Sequence, residues 1–225
     1  MPPLAVIIPA GGASTRFGSN KLLGELGGST VIARTLEAFA NLDFIAQIVV
    51  PTPPGQGTMK VMRPAGSPPL KTCASGANRA ESVRRGLIEI VDSIEWVAIH
   101  DAARPLVSPQ LIERVFEAAL EHGCAAPALP VSLTVKQAAG PLPARVDKTV
   151  PRQQLFALQT PQVMRRDALL EAYSRCPIDL SEVTDDVQLL ELAGREVWLV
   201  EGEERNLKIT TPLDLIVAQA ILDGR

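Results

Sequence analysis

The sequence is short of the groups on which most side-chain chemistry runs. Its 225 residues include two histidines and three cysteines. No Ser-His or Cys-His arrangement is evident, so a nucleophile activated by a neighbouring base is not the expected chemistry. Cys73, Cys124 and Cys176 form no CxxC pair and are odd in number, which favours reduced thiols in a reducing compartment over a disulfide framework. Basic charge is not in excess: 22 Lys and Arg stand against 25 Asp and Glu, net −3, so the global positive field that attracts nucleic acid is missing. The one early apolar run, Leu4 to Pro9, is too short for a membrane span or a signal h-region and lacks a basic leader. The expected protein is cytoplasmic, with no nucleic-acid or membrane partner. No GxxxxGK[ST] and no GxGxxG occurs, which removes the P-loop reading and weakens the dinucleotide one. No internal repeat is visible.

What is present is apolar material, 46% of the chain, enough to bury the core of one domain over residues 1–225. Continuous apolar runs at Leu4–Ile8, Phe44–Val50 and Trp96–His100 predict buried strands. Helical spacing recurs over Val31–Ala40, from Ala80 to Val91, and from Leu111 to Leu120, with Ser108 and Pro109 as N-cap and first position of the last of these. Residues 51–69 read as a Pro/Gly-rich loop with room for one short strand. Ala125–Val131 predicts a further strand, and 132–152 a projecting hairpin-like arm. Helices then resume, one of them capped by Thr184 ahead of Asp185 and Asp186. Strands are expected at Glu196–Val200 and Asn206–Ile209. A last helix starts at Thr211 and Pro212, with Leu213, Ile216, Val217, Ala220 and Ile221 turned inward. Alternating strands and helices define a Rossmann-like α/β fold, a mostly parallel twisted sheet with helices on both faces. Ligands of such sheets bind beyond the carboxyl ends of the strands. That nominates the loop after Ile8, the loop after His100 and the turn before the last helix.

The first loop reads Pro9-Ala-Gly-Gly-Ala-Ser-Thr-Arg16-Phe-Gly-Ser-Asn-Lys21. Gly11 and Gly12 let backbone amides come close to an anion, and Arg16 and Lys21 add charge. It is either a polyphosphate cradle or an ordinary Gly-rich turn with solvated charges. In the second loop, His100-Asp-Ala-Ala-Arg-Pro105, Asp101 either holds a hard cation such as Mg²⁺ or caps the turn with Arg104 as its ion-pair partner. His100 reads as a structural hydrogen-bonding residue, and His122 as a helix-end charge without a catalytic role. A third cluster, Gly76-Ala-Asn-Arg79-Ala-Glu-Ser82, either binds part of a nucleotide or merely caps a helix.

Together, Pro9-Ala-Gly-Gly with Arg16 and Lys21, His100-Asp-Ala-Ala-Arg-Pro105, Leu158-Gln-Thr-Pro-Gln162, Thr184-Asp-Asp186 and Asn206-Leu-Lys-Ile-Thr210 resemble the 2-C-methyl-D-erythritol 4-phosphate cytidylyltransferases, from about Leu4 to about Leu222. The resemblance implies transfer of a cytidylyl group from CTP to methylerythritol phosphate, with release of pyrophosphate, in non-mevalonate isoprenoid synthesis. It puts Ala10, Gly11 and Gly12 in the CTP site, with Arg16 and Lys21 on the phosphates. Gly76 and Ser82 would meet the cytidine and Ala102 the ribose region. Asp101 would stand by Mg²⁺ and the acceptor. Thr134, Arg152, Thr160 and Lys208 would surround the methylerythritol phosphate, Thr134 and Arg152 from the arm of a homodimer partner. This chain departs from the family pattern at Gly11, Ser14, Ala77 and Arg205.

A phosphate monoester is already largely a dianion at neutral pH and needs no base to attack. The expected mechanism is in-line attack on the α-phosphorus, with Arg16, Lys21, Lys208 and Mg²⁺ holding the charge. Two alternatives stand beside it: a sugar phosphate or molybdopterin acceptor, and a nucleotide-binding regulator without turnover.

Overall fold

The computed structural model describes residues 1–11, 21–53 and 67–224. The first apolar run is β1 (Leu4–Ile7). A 3-10 turn at Lys21–Leu23 and a ribbon of β2 (Glu25–Leu26) and β3 (Ser29–Thr30) lead into α1 (Val31–Ala40). There follow β4 (Ile45–Thr52), β5 (Leu70–Ala74), α2 (Arg79–Ile88), β6 (Trp96–Ile99), α3 (Pro109–His122) and β7 (Cys124–Pro130). The arm is β8 (Val135–Ala138) and β9 (Val146–Val150), and β10 (Phe156–Leu158), β11 (Gln162–Arg165), α4 (Arg166–Ser174), α5 (Asp186–Leu192), β12 (Trp198–Glu201) and α6 (Pro212–Leu222) complete the chain.

Eight strands form the main sheet. β1 lies parallel between β4 and β6, and β5 extends β4 in parallel. Beyond β6 the direction reverses at β11, which runs antiparallel to both β6 and β7. β10 pairs antiparallel and β12 parallel with β7. The alternation of side chains explains why β1 is apolar throughout. Leu4, Val6 and Ile8 enter the layer that contains Phe39 of α1 and Phe116 of α3. Ala5 and Ile7 enter the opposite layer with Val83 and Leu87 of α2 and Leu169 of α4. All five are fully buried, and each buried Leu, Val or Ile contributes roughly 1.5–3 kcal/mol.

The helix ends follow local chemistry. Ser108 Oγ accepts from the Leu111 N–H at 3.0 Å, Pro109 opens α3, and Gly123 closes it at φ 87°. Thr211 and Asp214 form a reciprocal capping box on α6.

Several expectations need correction. Asn206–Ile209 is not a strand: Asn206 is buried as a polar staple, its amide donating to the Thr160 carbonyl at 2.8 Å. The cap of α5 is Asp185, one residue later than Thr184. Leu213, Ile216 and Val217 are exposed, because α6 is apolar almost all round and its packed side is the one carrying Leu215 and Ala218. Leu120 and Val91 are exposed as well. Five strands lie outside the predicted set, namely β2, β3, β5, β10 and β11. They are short, and β5 and β10 carry half-exposed or exposed residues without a clean alternation.

Candidate active site

Four connections converge beyond the carboxyl ends of β1, β5 and β6. Pro9 and Gly11 follow β1, Gly76–Arg79 and Ser82 follow β5, Asp101–Ala103 follow β6, and Lys208 precedes α6; with Lys21 and Leu22 they line a cavity of about 300 Å³. Two glycines allow the close approach. A Cβ on Gly11 would sit 2.6 Å from Ser75 Cβ, and one on Gly76 would sit 2.5 Å from Glu81 Cβ. A second cavity of about 150 Å³ is lined by Leu158–Thr160, Gln162, Thr184, Asp185 and Arg104. Arg79, Asp101 and Lys208 line both cavities. They form the wall between them.

That wall is a network of charges. Lys208 Nζ lies 2.8 Å from Asp101 Oδ2, and Arg79 Nε lies 3.3 Å from Asp101 Oδ1. Arg79 Nη1 lies 2.7 Å from Asp186 Oδ2, and Arg104 Nε a looser 3.6 Å from Asp101 Oδ2. Burial pushes the Asp101 carboxyl up, but Arg79, Lys208 and Arg104 outweigh it and hold the group well below the usual carboxylate range. Burial also acts against the Arg79 charge, and Asp186 with Asp101 more than restores it. Asp186, wholly buried, is pushed up by burial while Arg79 opposes the shift. Arg104 spends its other donors on the carbonyls of Asn206 at 2.6 Å and Leu158 at 3.4 Å, which fixes the floor of the second cavity.

Beneath the wall, Thr160 Oγ1 accepts from the Asp101 N–H at 3.0 Å and lies 3.1 Å from His100 Nδ1. His100 Nε2 is 3.1 Å from the Arg104 carbonyl. A carbonyl only accepts, so the imidazole is protonated on Nε2 and receives the Thr160 hydroxyl on Nδ1. Burial holds its pKa down to about 4, which keeps the ring neutral. His100 is thus a hydrogen-bonding support, as the sequence indicated.

The predicted residues divide into groups. Gly11, Lys21, Gly76, Ser82, Asp101, Ala102 and Lys208 line the larger cavity, and Thr160, Asp101 and Lys208 the smaller. Lys21 Nζ donates to the Ile209 carbonyl at 3.0 Å, tying the first loop to the last. The Ser82 hydroxyl is engaged internally: it accepts from Gly76 N–H at 3.0 Å and donates to the Asn78 carbonyl at 2.8 Å. Asn78 caps α2, so the capping reading of that cluster holds alongside its place at the cavity. Ala10 is buried, its N–H donating to the Pro51 carbonyl at 2.9 Å, and lines neither cavity. Thr134 and Arg152 are exposed on the arm and line neither cavity; Arg152 donates to the Ser132 carbonyl. Gly12 and Arg16 lie outside the described residues.

Sequence reasoning gave no role to Arg79 or Asp186. A signal existed. Arg79 occupies the first position of α2, where the helix dipole disfavours a cation. A cation held there implies acidic partners nearby. As for a metal, no group of three or more His, Cys, Asp or Glu occurs among the described residues. A single carboxylate at a phosphate-sized cavity fits Mg²⁺, which takes one or two carboxylates plus substrate phosphates. Asp101 is the carboxylate both cavities share.

A doubly covered α/β sheet with a cation-walled cavity at its carboxyl edge fits the class of domains that bind anionic ligands such as nucleotides. The comparisons narrow the class. The family model for 2-C-methyl-D-erythritol 4-phosphate cytidylyltransferase matches residues 4–224. A Gloeobacter violaceus protein of that name is 40% identical, over 96% of this chain and 95% of its own length. The chain is also 40% identical to a bifunctional IspD/IspF enzyme of an Anaeromyxobacter species, covering 98% of itself but only 58% of that relative. The crystal structure of the cytidylyltransferase from Thermus thermophilus superposes with a TM-score of 0.80 at 36% identity, over 99% of this chain and 100% of that one. The chain belongs to the 2-C-methyl-D-erythritol 4-phosphate cytidylyltransferase family.

Proposed function

We propose that this chain transfers the cytidylyl group of CTP to 2-C-methyl-D-erythritol 4-phosphate, giving 4-diphosphocytidyl-2-C-methyl-D-erythritol and pyrophosphate in non-mevalonate isoprenoid synthesis. The observation that carries the reading is the pair of cavities with one wall of Arg79, Asp101 and Lys208. The larger takes the nucleotide, and the smaller takes the acceptor phosphate. A phosphate oxygen of the acceptor attacks the α-phosphorus, the bond to the bridging oxygen breaks, and its electron pair leaves with pyrophosphate. The acceptor is mostly dianionic at neutral pH, so no proton need be removed. What the protein supplies is alignment and cations: Lys21 on the nucleotide side and Lys208 between the anions, with Arg16, outside the described residues, as the further phosphate cation that the resemblance implies.

Asp101 is the residue that would hold Mg²⁺, which supplies Lewis-acid neutralisation of phosphoryl oxygens when bound. The arm supports a homodimer, since Leu133 and Leu142 are 77% and 87% exposed on it and a two-stranded hairpin alone is marginal in water. Thr134 and Arg152 would then serve the partner's acceptor site. Among the described residues no helix is long and apolar enough to cross a membrane. The three unpaired thiols suit a reducing cytoplasm.

The test is incubation with CTP, Mg²⁺ and methylerythritol phosphate, with mass analysis of the product and pyrophosphate measurement. Pyrophosphate released only with another triphosphate or another acceptor would overturn the substrate assignment. CTP bound but unchanged with every acceptor would overturn the enzymatic one.

A further inference from the structure

The geometry points to Arg79 as an additional catalytic cation of the transfer, touching phosphate oxygens where the two anions meet, and to Asp186 as the positioning residue that aims it. This rests on the reaction proposed above.

Three observations carry it. Arg79 lines both cavities, so it stands where nucleotide and acceptor come together. Its guanidinium is only partly used: Nε faces Asp101 at 3.3 Å and Nη1 faces Asp186 at 2.7 Å, while Nη2 makes no hydrogen bond among the described residues. Arg104 beside it differs, since both of its terminal nitrogens are committed to backbone carbonyls. Third, Asp186 is fully buried, and its carboxylate oxygens accept no hydrogen bond among the described residues, the ion pair with Arg79 aside.

A buried carboxylate is costly unless a cation meets it, and removing that cation leaves the charge stranded. The cost is tolerated here at one place, the first turn of α5, whose backbone is itself fixed: Gln162 Oε1 accepts from the N–H groups of Asp186 at 2.9 Å and Val187 at 3.2 Å. The carboxylate is therefore a rigid anchor. Two anchors on separate elements, Asp186 on α5 and Asp101 after β6, define the plane of the guanidinium and leave its remaining edge for the substrate. A planar fork meets two anchors and a phosphate in one fixed plane; an ammonium has three donors but no such plane and acts as a mobile point charge. Donors fixed in this way stabilise the pentavalent phosphorus without reorganisation as its charge develops.

The experiment compares wild type with Arg79→Lys, Arg79→Ala, Asp186→Asn and the Arg79→Ala/Asp186→Asn double variant. It measures kcat, the KM of each substrate and the thermal midpoint. A wild type that makes no product ends the reading of the reaction, separately from this proposal. With an active wild type, Arg79→Ala is expected to lower kcat about 100-fold, the scale of one lost transition-state donor. Arg79→Lys, which keeps the charge, lowers it nearly as much. Asp186→Asn lowers kcat about tenfold in the wild-type background and not at all in the Arg79→Ala background, because a positioning residue has nothing left to position. A loss from Asp186→Asn that multiplies in the double variant would make its role structural, and near-normal kcat in Arg79→Lys or Arg79→Ala would remove Arg79 from catalysis. If Asp186→Asn does not fold, Arg79→Lys decides the question, since it retains a cation for Asp186.

Discussion

The wall between the two cavities and the β8–β9 arm are both polar, yet they are built on opposite principles. Behind and beneath the wall, His100 and Asp186 are fully buried, Asp101 within it is nearly so, and each contact fixes another. On the arm, Lys136 and Thr149 pair across the strands in full solvent, and Arg145 reaches Asp147 at 3.9 Å with its side chain 88% exposed. Low effective dielectric makes the wall's interactions strong and its unpaired groups costly. Water and salt make the arm's pairs nearly neutral. Charge in this molecule therefore matters where the core supports it.

Five measurements would break or sharpen this contrast. The largest effect belongs to the apolar core: Phe116→Ala should cost about 3–5 kcal/mol in chemical denaturation, as for a fully buried aromatic. At the wall itself, Lys208→Ala should lower kcat about 100-fold, roughly 3 kcal/mol of barrier, in a pyrophosphate-release assay. Acid should act through His100, whose pKa is about 4 when folded and near 6.5 when unfolded. Between those values the unfolded chain takes up a proton that the folded chain refuses, so stability falls as pH falls, by up to about 1.4 kcal/mol per pH unit. Denaturant titrations at pH 7 and 4.5 would read the slope, and a flat response would contradict the neutral, buried ring. Thr160→Val removes a hydroxyl shared by Asp101 N–H and His100 Nδ1, and a loss of roughly 1–3 kcal/mol is expected from the stranded groups. Lys136→Ala on the arm should change stability by less than about 0.5 kcal/mol; a larger loss would mean that the arm is not the loosely held element described.

The legible part of the sequence was the part ruled by local pattern. Runs such as Leu4–Ile8 are apolar because both faces of the sheet are covered, and Ser108, Pro109 and Thr211 mark helix starts by their own chemistry. The glycines near the larger cavity and the cation Lys21 could be picked out by type and context, whereas Lys208 entered only through the family resemblance. What failed depended on tertiary partners. β11 is a strand because β6 and β7 offer it edges, and α6 chooses its buried side from contacts that no period encodes when nearly every position is apolar. Arg79 and Asp186 lie more than a hundred residues apart and acquire meaning only when α2 and α5 bring their first turns together.

A partition made of charged side chains also limits how this scaffold can diversify. Gly76 and Ala77 line only the larger cavity, Thr184 and Asp185 only the smaller, and neither pair belongs to the shared wall. Side chains at Ala77 and at Thr184 can therefore vary with each change confined to one compartment, whereas Gly76 is held by its approach to Glu81. A change in Arg79, Asp101 or Lys208 is never confined in this way, because it alters both compartments at once.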